Sequence, residues 1–146
     1  MERPVDADNQ GTDSLVNDGR PVRIIIADSD TRVRHAIAMF LRQEPGPLAI
    51  VEASDVDGLT DQIRQHDPDI VLLEWSLPAP PATPALFVFR DLRHRSRVIV
   101  LDSPSAKCRR AEAVGADSVV GKDEPPENLL NAFRRLRAEL GTSGTQ

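Results

Sequence analysis

The chain has 146 residues, of which 40% are hydrophobic and 28% are charged, and its formal net charge is −5. This size and composition suit one globular domain with its own core. The acidic balance and the aromatic content of 3% argue against general nucleic-acid binding. No apolar run approaches the roughly 20 residues that a membrane span needs. The single cysteine excludes an internal disulfide, and the polar beginning predicts a cytoplasmic protein.

Polar residues dominate both ends of the sequence. Residues 1–20 contain Asp, Asn, Gly, Glu and Ser and hold few large apolar groups, which predicts a disordered tail. Residues 141–146 have the same character and predict a flexible tail. We therefore expect the folded domain to span residues 21–140.

Between the tails lie five apolar, β-branched runs of strand length. They are VRIIIA (22–27), LAIVEA (48–53), DIVLLE (69–74), RVIVLD (97–102) and DSVVGK (117–122). Because these runs are continuous rather than alternating, they predict strands that are buried on both faces of a parallel sheet.

Amphipathic helical patterns follow the strand-like runs. They cover residues 31–42, 56–66, 83–94, 105–114 and 127–140. Asp30 is the predicted N-cap of the first helix, and Asp67-Pro68 ends the second. Strands that alternate with helices predict an α/β fold, a three-layer sandwich around a five-stranded parallel sheet.

Charged residues stand at the ends of four of the five runs. In a parallel α/β fold, ligands bind beyond the carboxyl ends of the strands. Asp28, Glu74, Asp102 and Lys122 occupy such positions, so they converge if their strands are neighbours. Carboxylates suit Mg²⁺ or Ca²⁺, and Lys122 can neutralise a carboxylate or bind an oxyanion. A purely structural role at a solvated strand end stays open for each acid.

Several segments occur in a familiar order. They are IIIADSDTRVRHAIAMFL, VEASD, DPDIVLLEWSLP, VIVLDS and VGADSVVGKDEPPENLLNAFRRL. With them, residues 22–140 resemble the receiver domain of two-component response regulators, and most of all the NarL/FixJ subfamily, whose receivers usually precede a LuxR-type helix-turn-helix. The resemblance implies a flavodoxin-like (CheY-like) sandwich with five helices and a role in bacterial signalling.

The resemblance also implies roles for residues after the first and third strands. In the family, two acids after the first strand bind Mg²⁺, and an aspartate after the third strand accepts a phosphoryl group from a histidine kinase. Asp28 matches one acid, whereas Ser29 stands where the second is expected, with Asp30 as its alternative. Glu74 stands at the phosphoacceptor position, and Ser76 completes the residues implied for a weak Mg²⁺ site.

The fourth and fifth strands end in the residues that contact the phosphoryl oxygens in the family. Asp102 stands at the position of the family's hydroxyl residue, with Ser103 beside it, and Lys122 matches the family's lysine. Val119 falls where many relatives have an aromatic switch residue. A carboxylate at position 102 repels a phosphoryl group, and Glu74 carries its carboxylate one methylene too far. We therefore expect poor phosphoryl transfer and either no bound metal or only weakly bound Mg²⁺.

These departures favour an atypical, stand-alone receiver that acts without catalysis through protein–protein interaction, independently of aspartyl phosphorylation. The alternative is a conventional phosphoacceptor that a histidine kinase phosphorylates with Mg²⁺, at Glu74 or another acid. A third hypothesis, a small metal-dependent enzyme, lacks an evident nucleophile or general base. Only six residues follow Leu140, so no DNA-binding half is expected within this sequence, whether it is a stand-alone receiver or part of a longer protein.

The family's usual partner surface corresponds to residues 105–140 of this chain. Its basic residues are Lys107, Arg109, Arg110, Arg134, Arg135 and Arg137. The expected partner is a protein, such as a kinase, a transcription regulator or another signalling protein, and a homodimer is a further option. Direct binding to nucleic acid or to a membrane is not expected.

Overall fold

Strands and helices alternate along the chain. The computed structural model describes residues 19–78, 85–92, 94–102 and 115–143. Its strands are β1 (Val22–Ala27), β2 (Leu48–Ala53), β3 (Ile70–Glu74), β4 (Arg97–Asp102) and β5 (Ser118–Gly121). Its helices are α1 (Thr31–Arg42), α2 (Val56–His66), α3 (Ala85–Leu92) and α4 (Pro126–Ser143). None of these described helices is long and apolar enough to cross a membrane.

All five strands form one parallel sheet in the order β2-β1-β3-β4-β5. This confirms the predicted α/β sandwich. Because the sheet is parallel, every strand ends at the same edge, which is hereafter called the carboxyl edge. The order places β3 at the centre, with β1 and β4 as its hydrogen-bonded neighbours.

The predicted element boundaries are confirmed at most positions. β1, β2, β4, α1 and α2 have the predicted bounds, whereas β3 and β5 are shorter than predicted. The predicted ends of two helices are wrong, since α3 ends at Leu92 rather than at residue 94, and α4 continues to Ser143 rather than ending at residue 140. Gly141 follows the predicted end of α4. A glycine inside a helix weakens the helix by about 1 kcal/mol but does not stop it as proline does. The predicted helix 105–114, residues 83–84 and 93, and most of both predicted tails lie outside the described residues.

Two buried layers pack against opposite faces of the sheet. One layer joins Ile24, Ile26 and Leu72 to side chains of α1 and α4. The other joins Ile25 and Val71 to side chains of α2 and α3. Successive strand residues thus alternate between two cores, which explains why the apolar runs are continuous.

A buried ion pair fastens α4 to the turn after α1. The Glu44 side chain is only 6% exposed, and Arg134 donates to it from Nε at 2.7 Å and from Nη2 at 2.8 Å. Arg137 donates to the carbonyl of Pro45 at 2.7 Å and lies over the ring of Phe133. The hydrogen bonds from Arg134 hold the pKa of Glu44 below its ordinary value, although burial opposes them. Two residues of the predicted basic partner surface therefore have an intramolecular role.

The end of α2 provides a test of backbone strain. Asp67 caps this helix with φ +45°, in the left-handed region that favours glycine. We expect Asp67→Gly to raise the free energy of unfolding by about 0.5–1 kcal/mol, as measured by urea denaturation. The matched control is Asp61→Gly, an exposed position inside the same helix, where glycine should lower that free energy by about 0.3 kcal/mol. Changes of the same sign in both variants would contradict the strain at Asp67.

Candidate functional site

The carboxyl edge brings three of the predicted site residues into contact. In the register of β1 and β3, Ala27 lies opposite Leu73, so Asp28 and Glu74 leave their strands at the same level. Lys122 follows β5 and extends past the end of β4. Its Nζ lies 2.7 Å from Oδ2 of Asp28 and 2.9 Å from Oε2 of Glu74. One ammonium group therefore bridges two carboxylates that come from different strands.

Ser29 holds the other oxygen of Glu74. Both its backbone N–H, at 2.8 Å, and its hydroxyl, at 2.9 Å, donate to Oε1 of Glu74. The backbone N–H of Asp30 donates to Oδ1 of Asp28 at 2.9 Å. Three of the four carboxylate oxygens of Asp28 and Glu74 thus accept a hydrogen bond from the chain itself, and the fourth, Oδ2 of Asp28, is in ion-pair contact with Lys122.

Arg34 supports this arrangement from α1, although the sequence analysis did not single it out. Its Nη1 donates to the backbone carbonyl of Asp28 at 2.6 Å, and its Nε donates to Glu52 at 2.8 Å. Glu52 lies on β2 opposite Ile26 of β1. Arg34 lies one turn after the N-cap Asp30, on the side of α1 that faces the strand end. This spacing was the sequence signal that could have identified it.

A tight turn after β5 positions Lys122. Its backbone N–H donates to the carbonyl of Asp102 at 2.8 Å, which extends the ladder between β4 and β5 by one bond. Glu124 accepts hydrogen bonds from the N–H of Gly121 and from the side chain of Asn128, both at 2.7 Å. A β-carbon at position 121 would lie 2.7 Å from the Glu124 carboxylate, so a side chain there would displace the carboxylate that accepts from the Gly121 N–H.

Three of the other predicted site residues, Asp30, Asp102 and Ser76, lie in the described part of the chain. Asp30 is the N-cap of α1, as predicted, and its side chain accepts from the backbone of that helix rather than joining the cluster. Asp102 is buried at the end of β4, where its carbonyl accepts from Lys122. Ser76 is exposed in the turn after β3. Ser103 lies outside the described residues.

The charges at this site compensate one another. Burial alone would raise the pKa of Glu74, but the hydrogen bonds from Ser29 and Lys122 outweigh burial and hold that pKa below its ordinary value of 4.5. Burial alone would likewise lower the pKa of Lys122, yet its contacts with Asp28 and Glu74 raise that pKa above 10.5. Crowded carboxylates usually force one pKa upward unless a cation lies between them, and Lys122 is that cation.

The site does not fit the Mg²⁺ ion that the resemblance implies. A hard divalent cation needs several oxygen ligands whose lone pairs are available to it. Here Oδ1 of Asp28 and both oxygens of Glu74 accept hydrogen bonds from the chain, and the Lys122 ammonium group lies 2.7 Å from Oδ2 of Asp28. Across the part of the chain that the structure describes, no three His, Cys, Asp or Glu residues form a group suited to a metal ion.

Comparisons with known proteins agree with this fold. Residues 24–134 match the model of the response regulator receiver domain. The nitrate/nitrite response regulator protein NarP of Escherichia coli is 28% identical over 78% of this chain and 54% of its own length. The chain therefore spans about half the length of this curated relative.

Solved structures show the same likeness. A LuxR-family two-component response regulator from Aurantimonas is 25% identical over 82% of this chain and 87% of its own, with a TM-score of 0.70. A CheY-like receiver domain protein from Methanospirillum hungatei shares the fold with a TM-score of 0.72, over 85% of this chain and 99% of its own, at 21% identity. With its parallel sheet, its acid and lysine at the carboxyl edge and the family match, the chain belongs to the response regulator receiver domain family.

Proposed function

We propose that this chain is an atypical receiver that acts in signal transduction through protein contacts, without phosphorylation of a carboxylate at the carboxyl edge. The observation that carries the proposal is the ammonium group of Lys122, which already bridges Asp28 and Glu74. A receiver that responds to phosphorylation needs this lysine to meet an incoming phosphoryl group. Here the chain supplies the negative charge that the lysine meets.

The position of Glu74 also argues against phosphoryl transfer. In-line attack requires a carboxylate oxygen whose lone pair points at phosphorus, placed within a fraction of an ångström. Oε1 of Glu74 accepts two hydrogen bonds from Ser29, and Oε2 accepts one from Lys122. These bonds stabilise the carboxylate in its ground state and therefore lower its reactivity as a nucleophile.

Asp102 adds a further obstacle on the neighbouring strand. It lies at the end of β4, where its carbonyl accepts the backbone N–H of Lys122. The resemblance assigns this position to a hydroxyl group that donates to phosphoryl oxygens. A carboxylate there accepts rather than donates, and it repels a group that carries nearly two negative charges.

The family match supports a protein partner, and we assign its contact surface to residues 105–140. Within the described part of this surface, Arg134 and Arg137 are engaged with Glu44 and its turn, and Arg135 donates to the carbonyl of Asp117 at 3.2 Å. Their charge is thus partly neutralised within the molecule. The basic charge of this described part therefore contributes less to partner binding than the sequence alone indicates.

The ionised state of Glu74 is testable by pH. Because the pKa of Glu74 is lowered in the folded state, its contribution to stability is present above its ordinary value of 4.5 and is lost as the pH falls through the folded value. We expect Glu74→Gln to lower the free energy of unfolding by about 1–2 kcal/mol near neutral pH, and this difference to shrink below about pH 4.5. Denaturant unfolding of both proteins across this range measures it.

Glu127→Gln, at an exposed position in the first turn of α4, is the matched control and should show a much smaller pH-dependent difference. Glu44 and Glu124 also have a lowered pKa, so the intact protein loses stability in acid for several reasons. The difference between it and the Glu74→Gln variant isolates Glu74. A difference that grows in acid would contradict the proposed ion pair.

Phosphorylation itself is tested by intact mass. We expect no phosphoryl adduct after incubation with acetyl phosphate and Mg²⁺, and no change in the fluorescence of Trp75, the single tryptophan of the sequence. Trp75 directly follows Glu74 and contacts Phe89 edge-on, with ring centroids 5.7 Å apart, so it reports on the cleft. A receiver with aspartate at the acceptor position, treated in parallel, controls for the phosphodonor. A phosphoryl adduct on this chain would contradict the proposal and support the alternative, a conventional phosphoacceptor receiver.

A further inference from the structure

We propose that Ser29 and Glu74 are a matched pair that takes the place of the divalent cation expected at this edge, with Ser29 as the positioning residue for the Glu74 carboxylate. This inference rests on the proposed function and deepens it. It explains two departures from the family pattern by one cause. Ser29 supplies the hydrogen-bond donors that the longer acid at position 74 requires. Its presence is therefore more than the replacement of a metal-binding acid.

The pairing follows from the geometry of β1 and β3. Glu74 leaves β3 at the level of Asp28, and Ser29 lies one residue farther along the chain. The additional methylene of glutamate carries its carboxylate to that more distant position, where both donors of Ser29 reach Oε1. The opposite oxygen reaches Lys122 at the same time. One side chain thus spans the two donors that hold it.

A shorter acid at position 74 cannot keep both contacts. Glu74→Asp withdraws the carboxylate by one carbon–carbon bond, about 1.5 Å, which exceeds the tolerance of a 2.9 Å hydrogen bond. Ser29 would then lack an acceptor, and Lys122 would keep only Asp28. The variant loses the contacts of the pair without gaining a ligand for a cation.

An acid at position 29 has the reverse effect. The Ser29 hydroxyl lies 2.9 Å from Oε1 of Glu74, so a carboxylate in its place would oppose another carboxylate. Ser29 is exposed, and the new side chain can turn toward solvent to relieve the repulsion. Only the combined variant, Ser29→Asp with Glu74→Asp, gives short carboxylates at positions 28, 29 and 74 with no serine donor between them.

The first test is a double-mutant cycle on thermal stability in buffer free of divalent cations. Ser29→Ala should lower the melting temperature of the intact protein by a few degrees. In a Glu74→Ala background the same substitution should have no effect, because its acceptor is gone. Ser29→Thr, which keeps the hydroxyl, should retain most of the stability. Equal losses from Ser29→Ala in both backgrounds would overturn the pairing.

The second test is a calorimetric titration with Mg²⁺, with Trp75 fluorescence followed in the same samples. We expect the Ser29→Asp/Glu74→Asp variant to bind Mg²⁺ at least about tenfold more tightly than the intact protein or either single variant. Ser54→Asp, exposed at the same edge, and Glu127→Asp, on α4, are matched controls and should leave Mg²⁺ affinity unchanged. If Glu74→Asp alone bound Mg²⁺ as tightly as the double variant, Ser29 would have no part in excluding the cation.

The two proposals fail in different ways. A phosphoryl adduct on the intact protein, together with an intact coupling between positions 29 and 74, would overturn the proposed function alone. Absence of both the adduct and the coupling would overturn the pairing alone. A merely structural role for Ser29 would lower stability in the alanine variant but would give neither the coupling nor the Mg²⁺ response of the double variant.

Discussion

The arrangement of the carboxyl edge depends on one ammonium group shared by two carboxylates. Asp28 is fully buried and Glu74 is 8% exposed, so both acids have lost most of their hydration. Without a cation between them, one carboxylate would take up a proton or turn toward solvent. Lys122 compensates the charge of both carboxylates. It thereby connects the ends of β1, β3 and β5 by ion pairs rather than by backbone hydrogen bonds. Arg34, Ser29 and Glu124 then hold the backbone and side chains that this bridge requires.

The same framework thus accommodates a different site chemistry. The parallel sheet and its strand order fix where charged groups meet. What those groups do depends on side chains that differ by a single methylene or hydroxyl. According to the proposed function, the counterions of Lys122 are two side chains of the same protein, Asp28 and Glu74. The charge state of the edge then does not depend on any donor outside the molecule.

Most of the fold was predictable because burial on both faces imposes continuous apolar runs, which leave little freedom at the strand boundaries. The end of α4 was not predictable from the sequence, since Gly141 weakens a helix without stopping it. Asp28, Glu74 and Lys122 were predictable because acids and lysines at strand ends are visible in sequence. The hydrogen bond from Ser29 to Glu74 joins residues 45 positions apart and follows no sequence periodicity. From the sequence alone, Ser29 was therefore recognisable only as a serine at a position where an acid is expected.

The ion pair between Glu44 and Arg134 joins residues that are 90 positions apart. During synthesis on the ribosome, the nascent chain therefore exposes Glu44 long before its counterion emerges. Until α4 docks, this carboxylate keeps its hydration, and the side of the sheet that α1 and α4 share stays partly open to water. The last helix consequently closes the core, and cotranslational folding of this domain reaches completion only after Arg134 has left the exit tunnel.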